Sequence, residues 1–313
     1  MQRTKNNIPN KWEDKSGNGN HLRKKPDAIL TGDWHLREDT PTAFTGDFQT
    51  EQWNSVEAIS DLQKSFDCLV IHPGDLFNHW KPSPWLITMT MRHLPKRFHT
   101  IYGNHDLPSH SLELADKCGI NVLAEAGKLS ILNGTHWGKI PEGVTTIYRS
   151  TESTIIPYQL LVWHVMTYQV KKPWPGITDP KASTLLRKYP MYDLIVTGHN
   201  HQPFVEEHEG RLLVNPGGVT RQTADQIDFK PRVYLWYADT NTVEPYFLPF
   251  TEGAISREHI EQTEQRDARI DAFISRLDGD WNASMSFEEN LEAFAKTNNI
   301  NPKVMEIVNK AIA

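Results

Sequence analysis

Cysteine is almost missing from this chain. Its 313 residues hold two, Cys68 and Cys118, too few and too far apart for a disulfide framework or a thiolate zinc module, so a reducing compartment is the default. Long hydrophobic runs are missing too. No stretch of about 18 apolar residues occurs, and the opening MQRTKNNIPNKWEDK lacks the apolar segment of an export signal. A cytoplasmic chain with no membrane span is expected. Positive charge is not in excess, with 33 Lys and Arg against 39 Asp and Glu and a formal charge of −6, which at first sight argues against a polyanionic partner. Repeats and low-complexity tracts are absent. What is present is 38% apolar residues, enough for one large domain or two modest ones, and fourteen histidines. With thiolates scarce, any metal chemistry must use histidine and carboxylate.

Three textures follow one another along the chain. Residues 1–27 carry seven Lys/Arg against three acids among Gly, Asn and Ser, which reads as a basic, loosely structured arm. From Ala28 to residue 250, short apolar runs each end in a polar cluster: AILTGDWH, CLVIHPGD, HTIYGNHD, QLLVWH and DLIVTGHNH. These read as buried strands. Trp53, Val56, Ile59, Leu62 and Phe66 fall at helical spacing between the first two, so a helix returns the chain to a parallel neighbour. Ser83 and Pro84 supply an N-cap and first turn for a helix reaching about Leu94, and Gly119 is expected as the C-terminal cap of the next one. RVYLWY and TVEPYFLPF, separated by Asp239, Thr240 and Asn241, predict a β-hairpin. Residues 251–313, with twelve acids against seven bases, predict a small helical C-terminal region, acidic and suited to a protein partner.

The chemistry-bearing residues sit at strand ends. Asp33 and His35 lie in GDWH, Asp75 in GDLFNH, and Asn104, His105 and Asp106 in GNHD. His164 lies in WH, and His199 and His201 in GHNH. Each cluster follows an apolar strand, where an α/β sheet presents its carboxyl ends to a common crevice. Gly32, Gly74, Gly103 and Gly198 precede the polar residues and are expected to permit tight exits. On extended chain, Asp33 with His35 and His199 with His201 would point the same way, each pair offering two ligands to one site. Asp, His and an Asn amide oxygen suit manganese, iron or zinc. Seven such residues exceed the three protein ligands usual for a single catalytic zinc, so two ions sharing a carboxylate are expected, the arrangement that clamps a phosphoryl group.

In full and in order, these five motifs resemble those of the calcineurin-like metallophosphoesterase superfamily, from about Leu30 to Gly218. The resemblance implies a four-layer α/β/β/α sandwich in which Asp33, His35 and His201 bind one metal and Asn104, His164 and His199 the other, with Asp75 bridging. It further implies that His105 acts on the leaving oxygen and that Asp106 holds its ring. Within the superfamily, GDLFNHWKPSPW, GNHDLP with the helix SLELADKCG, and NPGG followed by Thr220 and Arg221 are most similar to SbcD-type nucleases that process DNA ends, small phage or bacterial members matching best in size. That implies a manganese-dependent exonuclease or endonuclease acting on DNA in repair or recombination, a homodimer, and an SMC-like ATPase partner of the SbcC kind. For a viral source, the compartment would be the bacterial host cytoplasm. Where several relatives have a histidine after GDLF that guides the DNA 3′ end, this chain has Asn78, which leaves two readings open: His79 next to it substitutes, or exonuclease action is weakened relative to endonuclease action.

Arg37 and Arg221 are candidate phosphate contacts. Trp34, Trp80 and Trp137 are candidates either for base stacking or for core packing, and Arg23, Lys24 and Lys25 for backbone contact with DNA. His72, His93, His99, His110, His136, His208 and His259 are given no role. Two other functions fit the same motifs: hydrolysis of a nucleotide or other small phosphate ester, and a metal-bound scaffold without catalysis.

Overall fold

The computed structural model describes residues 24–132, 142–150, 154–170, 172, 175–277 and 286–312. Residues 1–23 of the arm and Trp137 lie outside the described residues.

Two sheets form the centre. The first has six strands in the order β11-β10-β1-β2-β3-β4. They are β1 (Ala28–Leu30), β2 (Leu69–His72), β3 (Phe98–Thr100), β4 (Ser130–Ile131), β10 (Arg232–Tyr237) and β11 (Thr242–Phe247). β1 to β4 pair in parallel, and β10 and β11 are the expected hairpin, antiparallel to each other and to β1. The second sheet has five strands in the order β5-β6-β7-β9-β8, from β5 (Glu142–Ser150), β6 (Ile155–Trp163), β7 (Leu194–Thr197), β8 (Phe204–His208) and β9 (Arg211–Asn215). Its inner strands β6, β7 and β9 are parallel, with antiparallel strands at both edges.

Successive residues of a strand face opposite sides of the sheet, and here both sides are apolar. In β2, Val70 joins a core shared with the helices α1 (Phe48–Phe66), α2 (Pro84–His93) and α3 (Gly119–Glu125), while Ile71 joins the core between the sheets. In β7, Leu194 and Val196 face that inter-sheet core, and Ile195 faces a third core under α4 (Ala182–Lys188). Three cores separated by two sheets make four layers, as expected, and explain why the strands read as continuous apolar runs.

The helices follow their local signals. Asp47 caps α1 by accepting the Thr50 N–H, and Ser83 caps α2 by accepting that of Leu86, with Pro84 in the first turn. Gly119 is a correction: it opens α3 instead of capping the preceding segment, which is the 3₁₀ turn Leu112–Lys117. A Cβ there would stand 2.3 Å from Pro82 Cγ, so the residue is small because a neighbouring loop packs on it.

The C-terminal region holds α5 (Glu258–Leu277), α6 (Phe287–Thr297) and α7 (Pro302–Ile312). Residues 251–256 pack on the sheet body: Phe44 and Ile255 form a β-bridge and bury together with Phe48 and Ala254. Among the described residues, no helix is long and apolar enough to cross a membrane. Both cysteines are free and buried.

Candidate metal centre

β1, β2, β3, β6 and β7 all end toward one crevice, and the loops leaving them carry the five motifs. Three ligand candidates there adopt left-handed backbone although none is glycine: His35 (φ 45°), Asp75 (φ 57°) and His199 (φ 72°). Such strain costs about 1–3 kcal/mol per residue and gathers at functional sites. The preceding glycines serve mostly a different purpose from the one expected. Of Gly32, Gly74, Gly103 and Gly198, only Gly74 is left-handed. At Gly103 a Cβ would lie 2.0 Å from Asp75 Oδ1, and at Gly198 2.5 Å from Asp33 Oδ1. These two positions are empty so that the carboxylates can lie against the backbone.

Three groups of ligand atoms lie within 4.8 Å of one another: Asp33, His35 and His201; Asp75, His164 and His199; and His35, Asp75 and His105. His199 and His201 therefore face different groups, against the expectation of one shared direction, because the left-handed turn at His199 breaks the extended geometry.

Lone pairs converge on these points. The carbonyl of Pro73 can only accept, so at 2.8 Å it fixes the proton of His164 on Nδ1. His164 Nε2 then faces Asn104 Oδ1 at 2.9 Å and Asp75 Oδ2 at 3.3 Å. In the first group, His35 Nε2 and His201 Nε2 stand 3.1 Å apart, with Asp33 Oδ2 3.4 Å from the latter. Asp33 Oδ1, Asp75 Oδ2 and His35 Nδ1 are buried with no hydrogen-bond partner among the described residues. Buried acceptors aimed at one another are costly without a cation. Divalent metals of the manganese, iron or zinc type fit this oxygen and imidazole set, and an imidazole whose second nitrogen donates to a carbonyl is the usual outer arrangement of a metal-binding histidine.

Without a metal, protons take the cation's part. Burial disfavours a charged His164, but Asp75 and Asp33 outweigh it and lift the imidazole to about 9. Burial likewise opposes charge on Asp75, yet His164, His35 and His105 hold its carboxyl far below the ordinary range. For His35, burial prevails over the attraction of Asp75 and lowers it to about 4. Burial would lower His201 as well, and its bond to Asp33 raises it instead.

The other expected site residues are placed as follows. His105 edges onto the His35 ring, with centroids 4.7 Å apart. Its Nδ1 donates to the Asn78 carbonyl at 2.9 Å, which leaves Nε2 free to face a substrate. Asp106 does not hold that ring, which corrects the expectation. Its buried carboxylate instead accepts the N–H groups of Asp75, Leu76, Phe77 and Gly103 at 2.8–3.2 Å, tying the second motif loop to the third. Asn78 acts through its carbonyl. His79 is turned to its own loop, accepting the Lys81 N–H and lying against Trp80.

Arg221 is corrected too. It is 1% exposed, paired with Glu51 and bonded to the Thr251 carbonyl, so it ties the segment after NPGG to α1 instead of reaching a phosphate. Trp34 is fully buried and donates to Thr31, so it stacks on no base. Trp80 packs on the helical core. Lys24 pairs with Asp239 on the hairpin turn. Arg37 is half-buried near the centre, bonded to Asp39 and Gln222.

Two neighbours of the centre escaped the sequence reading. Gln222 Nε2 donates to the His35 carbonyl at 3.4 Å. His110, at φ 55° beside Ser109 at φ 50°, donates from Nδ1 to the Asn104 carbonyl at 2.7 Å. Proximity to GNHD was the available signal for His110; Gln222 had none beyond its place after NPGG and Arg221.

Solved structures similar to this chain include an archaeal phosphodiesterase (15% identity, 71% of this chain and 99% of that one, TM-score 0.38). They also include Vps29 from Cryptosporidium parvum (14%, 73% and 100%, TM-score 0.36) and a predicted phosphoesterase from Streptococcus pneumoniae (13%, 70% and 96%, TM-score 0.30). Residues 29–230 match the model of the calcineurin-like phosphoesterase superfamily domain, and the chain belongs to that superfamily.

Proposed function

We propose that this chain is a dinuclear-metal phosphodiesterase and that its substrate is DNA, cleaved in end processing, repair or recombination. One observation carries the hydrolase reading: three groups of ligand atoms adjoin, Asp75 belonging to two of them, and Asp33 Oδ1 and Asp75 Oδ2 are buried with no hydrogen-bond partner among the described residues. Asp33, His35 and His201 would hold one ion and Asn104, His164 and His199 the other, with Asp75 between them. Ions bound there, manganese by preference and iron or zinc as alternatives, would neutralise a phosphoryl group and make water nucleophilic near neutral pH.

The chain's own groups prepare the site. Asp106 fixes the Asp75 loop through four amides, and the His105 backbone N–H orients Asp75 by donating to Oδ1 at 2.8 Å. Pro73 sets the tautomer of His164. His105, held on the Asn78 carbonyl, offers Nε2 to carry a proton to the leaving oxygen. DNA as substrate rests on the likeness of the motif flanks to SbcD-type nucleases. The same likeness supports an SMC-like ATPase partner, for which α7, exposing Val304 and Ile307, is the proposed contact.

The test is manganese-dependent hydrolysis of linear duplex DNA, single-stranded DNA and a small chromogenic diester. Wild type is expected to cleave all three. Loss of His105 as acid in His105→Ala should lower the rate by about 10²–10⁴, and Asp75→Ala should abolish turnover. Cleavage of the small diester alone, even with an ATPase partner supplied, rejects DNA as substrate. No hydrolysis of any of the three leaves the scaffold role.

A further inference from the structure

A single peptide unit links Asn104, His105 and Asp75. Its carbonyl belongs to Asn104 and its N–H to His105, and that N–H donates to Asp75 Oδ1 at 2.8 Å. A trans peptide is planar, with its C=O and N–H pointing in opposite directions, so whatever fixes the carbonyl end also fixes the donor that Asp75 receives. His110 fixes the carbonyl end. Its Nδ1 lies 2.7 Å from the Asn104 carbonyl oxygen, and because a carbonyl only accepts, the imidazole proton sits on Nδ1. Two hydrogen bonds then run in series, from imidazole to carbonyl and from N–H to carboxylate, each polarising the peptide in the sense that strengthens the other. Among the described residues no other donor reaches that carbonyl.

The backbone around His110 is shaped for this contact. The turn Pro108–His110 follows the third motif, and its base is anchored because Leu107 and Pro108 are buried. It is closed by the His110 N–H, which donates to the Leu107 carbonyl at 3.2 Å, and by the Ser111 N–H, which donates to that of Pro108 at 3.0 Å. Ser109 and His110 are both left-handed, at φ 50° and 55°, a conformation that glycine and asparagine adopt more readily than serine or histidine. The His110 ring is exposed, so burial does not offset that strain. What the strained turn achieves is the bond to Asn104.

We infer that His110 is a positioning residue of the metal centre. Through the Asn104–His105 peptide it sets Asp75 between the two ions and Asn104 toward the second of them, while binding no ion itself. Outer partners of this kind govern how well ligands hold a metal. The inference rests on the two-ion reading above and extends it to a side chain outside the five motifs.

Glycine and asparagine at this position separate the imidazole from the backbone, since both tolerate the left-handed turn. His110→Gly removes the donor, whereas His110→Asn keeps an N–H donor on a short side chain. The test is calorimetric titration of the metal-free full chain with manganese, together with thermal denaturation of the metal-free protein and kinetics on the small chromogenic diester at saturating manganese. In His110→Gly the weaker of the two manganese dissociation constants should rise about 10–100-fold, the range for a lost outer partner. KM should keep its wild-type value, and Tm should stay within about 4 °C, because the lost bond and the relieved strain oppose each other. His110→Asn should recover part of the manganese affinity. Unchanged affinity in His110→Gly overturns the inference and leaves the two-ion reading intact. So does a loss of affinity with a larger fall in Tm and no recovery in His110→Asn, which marks a structural role, or a raised KM at normal affinity, which marks a substrate contact. A wild type that binds fewer than two ions overturns both.

Discussion

Asp106 does more for the centre than its place in GNHD suggests, because its one carboxylate gathers four backbone N–H groups from two loops. Burial and the nearby Asp75 charge push it up to about 7, against the pull of those amides. Asp106→Asn replaces an acceptor oxygen by a donor and leaves buried N–H groups unsatisfied, at about 1–3 kcal/mol. Urea unfolding of the metal-free variant should show that loss, and unchanged stability would contradict the bracing role. His72 gives a pH prediction. It is buried against Trp34 and Phe98 and bonded to Thr100, and burial lowers it to about 3. Between that value and the ordinary 6.5 the unfolded chain takes up a proton that the folded chain refuses, so stability falls as pH falls through this window. In metal-free His72→Phe the slope of stability against pH from 6 to 4 should be shallower by about 1.4 kcal/mol per pH unit, one proton's worth. Equal slopes would show that His72 charges in the fold.

At the scale of elements, the inner strands carry the stability. Leu160 of β6 is fully buried between the sheets, so Leu160→Ala should cost about 2–5 kcal/mol. Removing the α2 cap in Ser83→Ala should cost about 1 kcal/mol. Thermal denaturation should rank them in that order, and the reverse order would contradict the layered core. The inner strands were legible in the sequence because both their faces are apolar, and α1 and α2 were legible from spacing and caps. β4, β5 and β8 were not. β8 reads FVEEH at a half-exposed edge, where one face need not be apolar. Site residues followed the same division: side chains aimed at the centre were found through their motifs, while Arg221 could not be told from a surface arginine until its pairing with Glu51 was visible. Backbone carbonyls such as those of Pro73 and Asn78 leave no mark on a sequence at all.

Over the whole molecule, the charge of −6 ceases to oppose a polyanionic substrate once it is divided along the chain. Residues 1–27 carry +4, while residues 28–250 and 251–313 each carry −5. Part of the body's acidity is Asp33 and Asp75, whose unpartnered oxygens call for cations. The four layers bring five strand ends to one crevice and leave the acidic C-terminal helices on the outside. The central claim is that two ions act together at Asp75. It is tested most directly by adding manganese stepwise to metal-free protein while following hydrolysis of a small chromogenic diester. The rate should climb until about two equivalents per chain are bound. A rate that saturates at one equivalent, or that never departs from zero, would contradict the account.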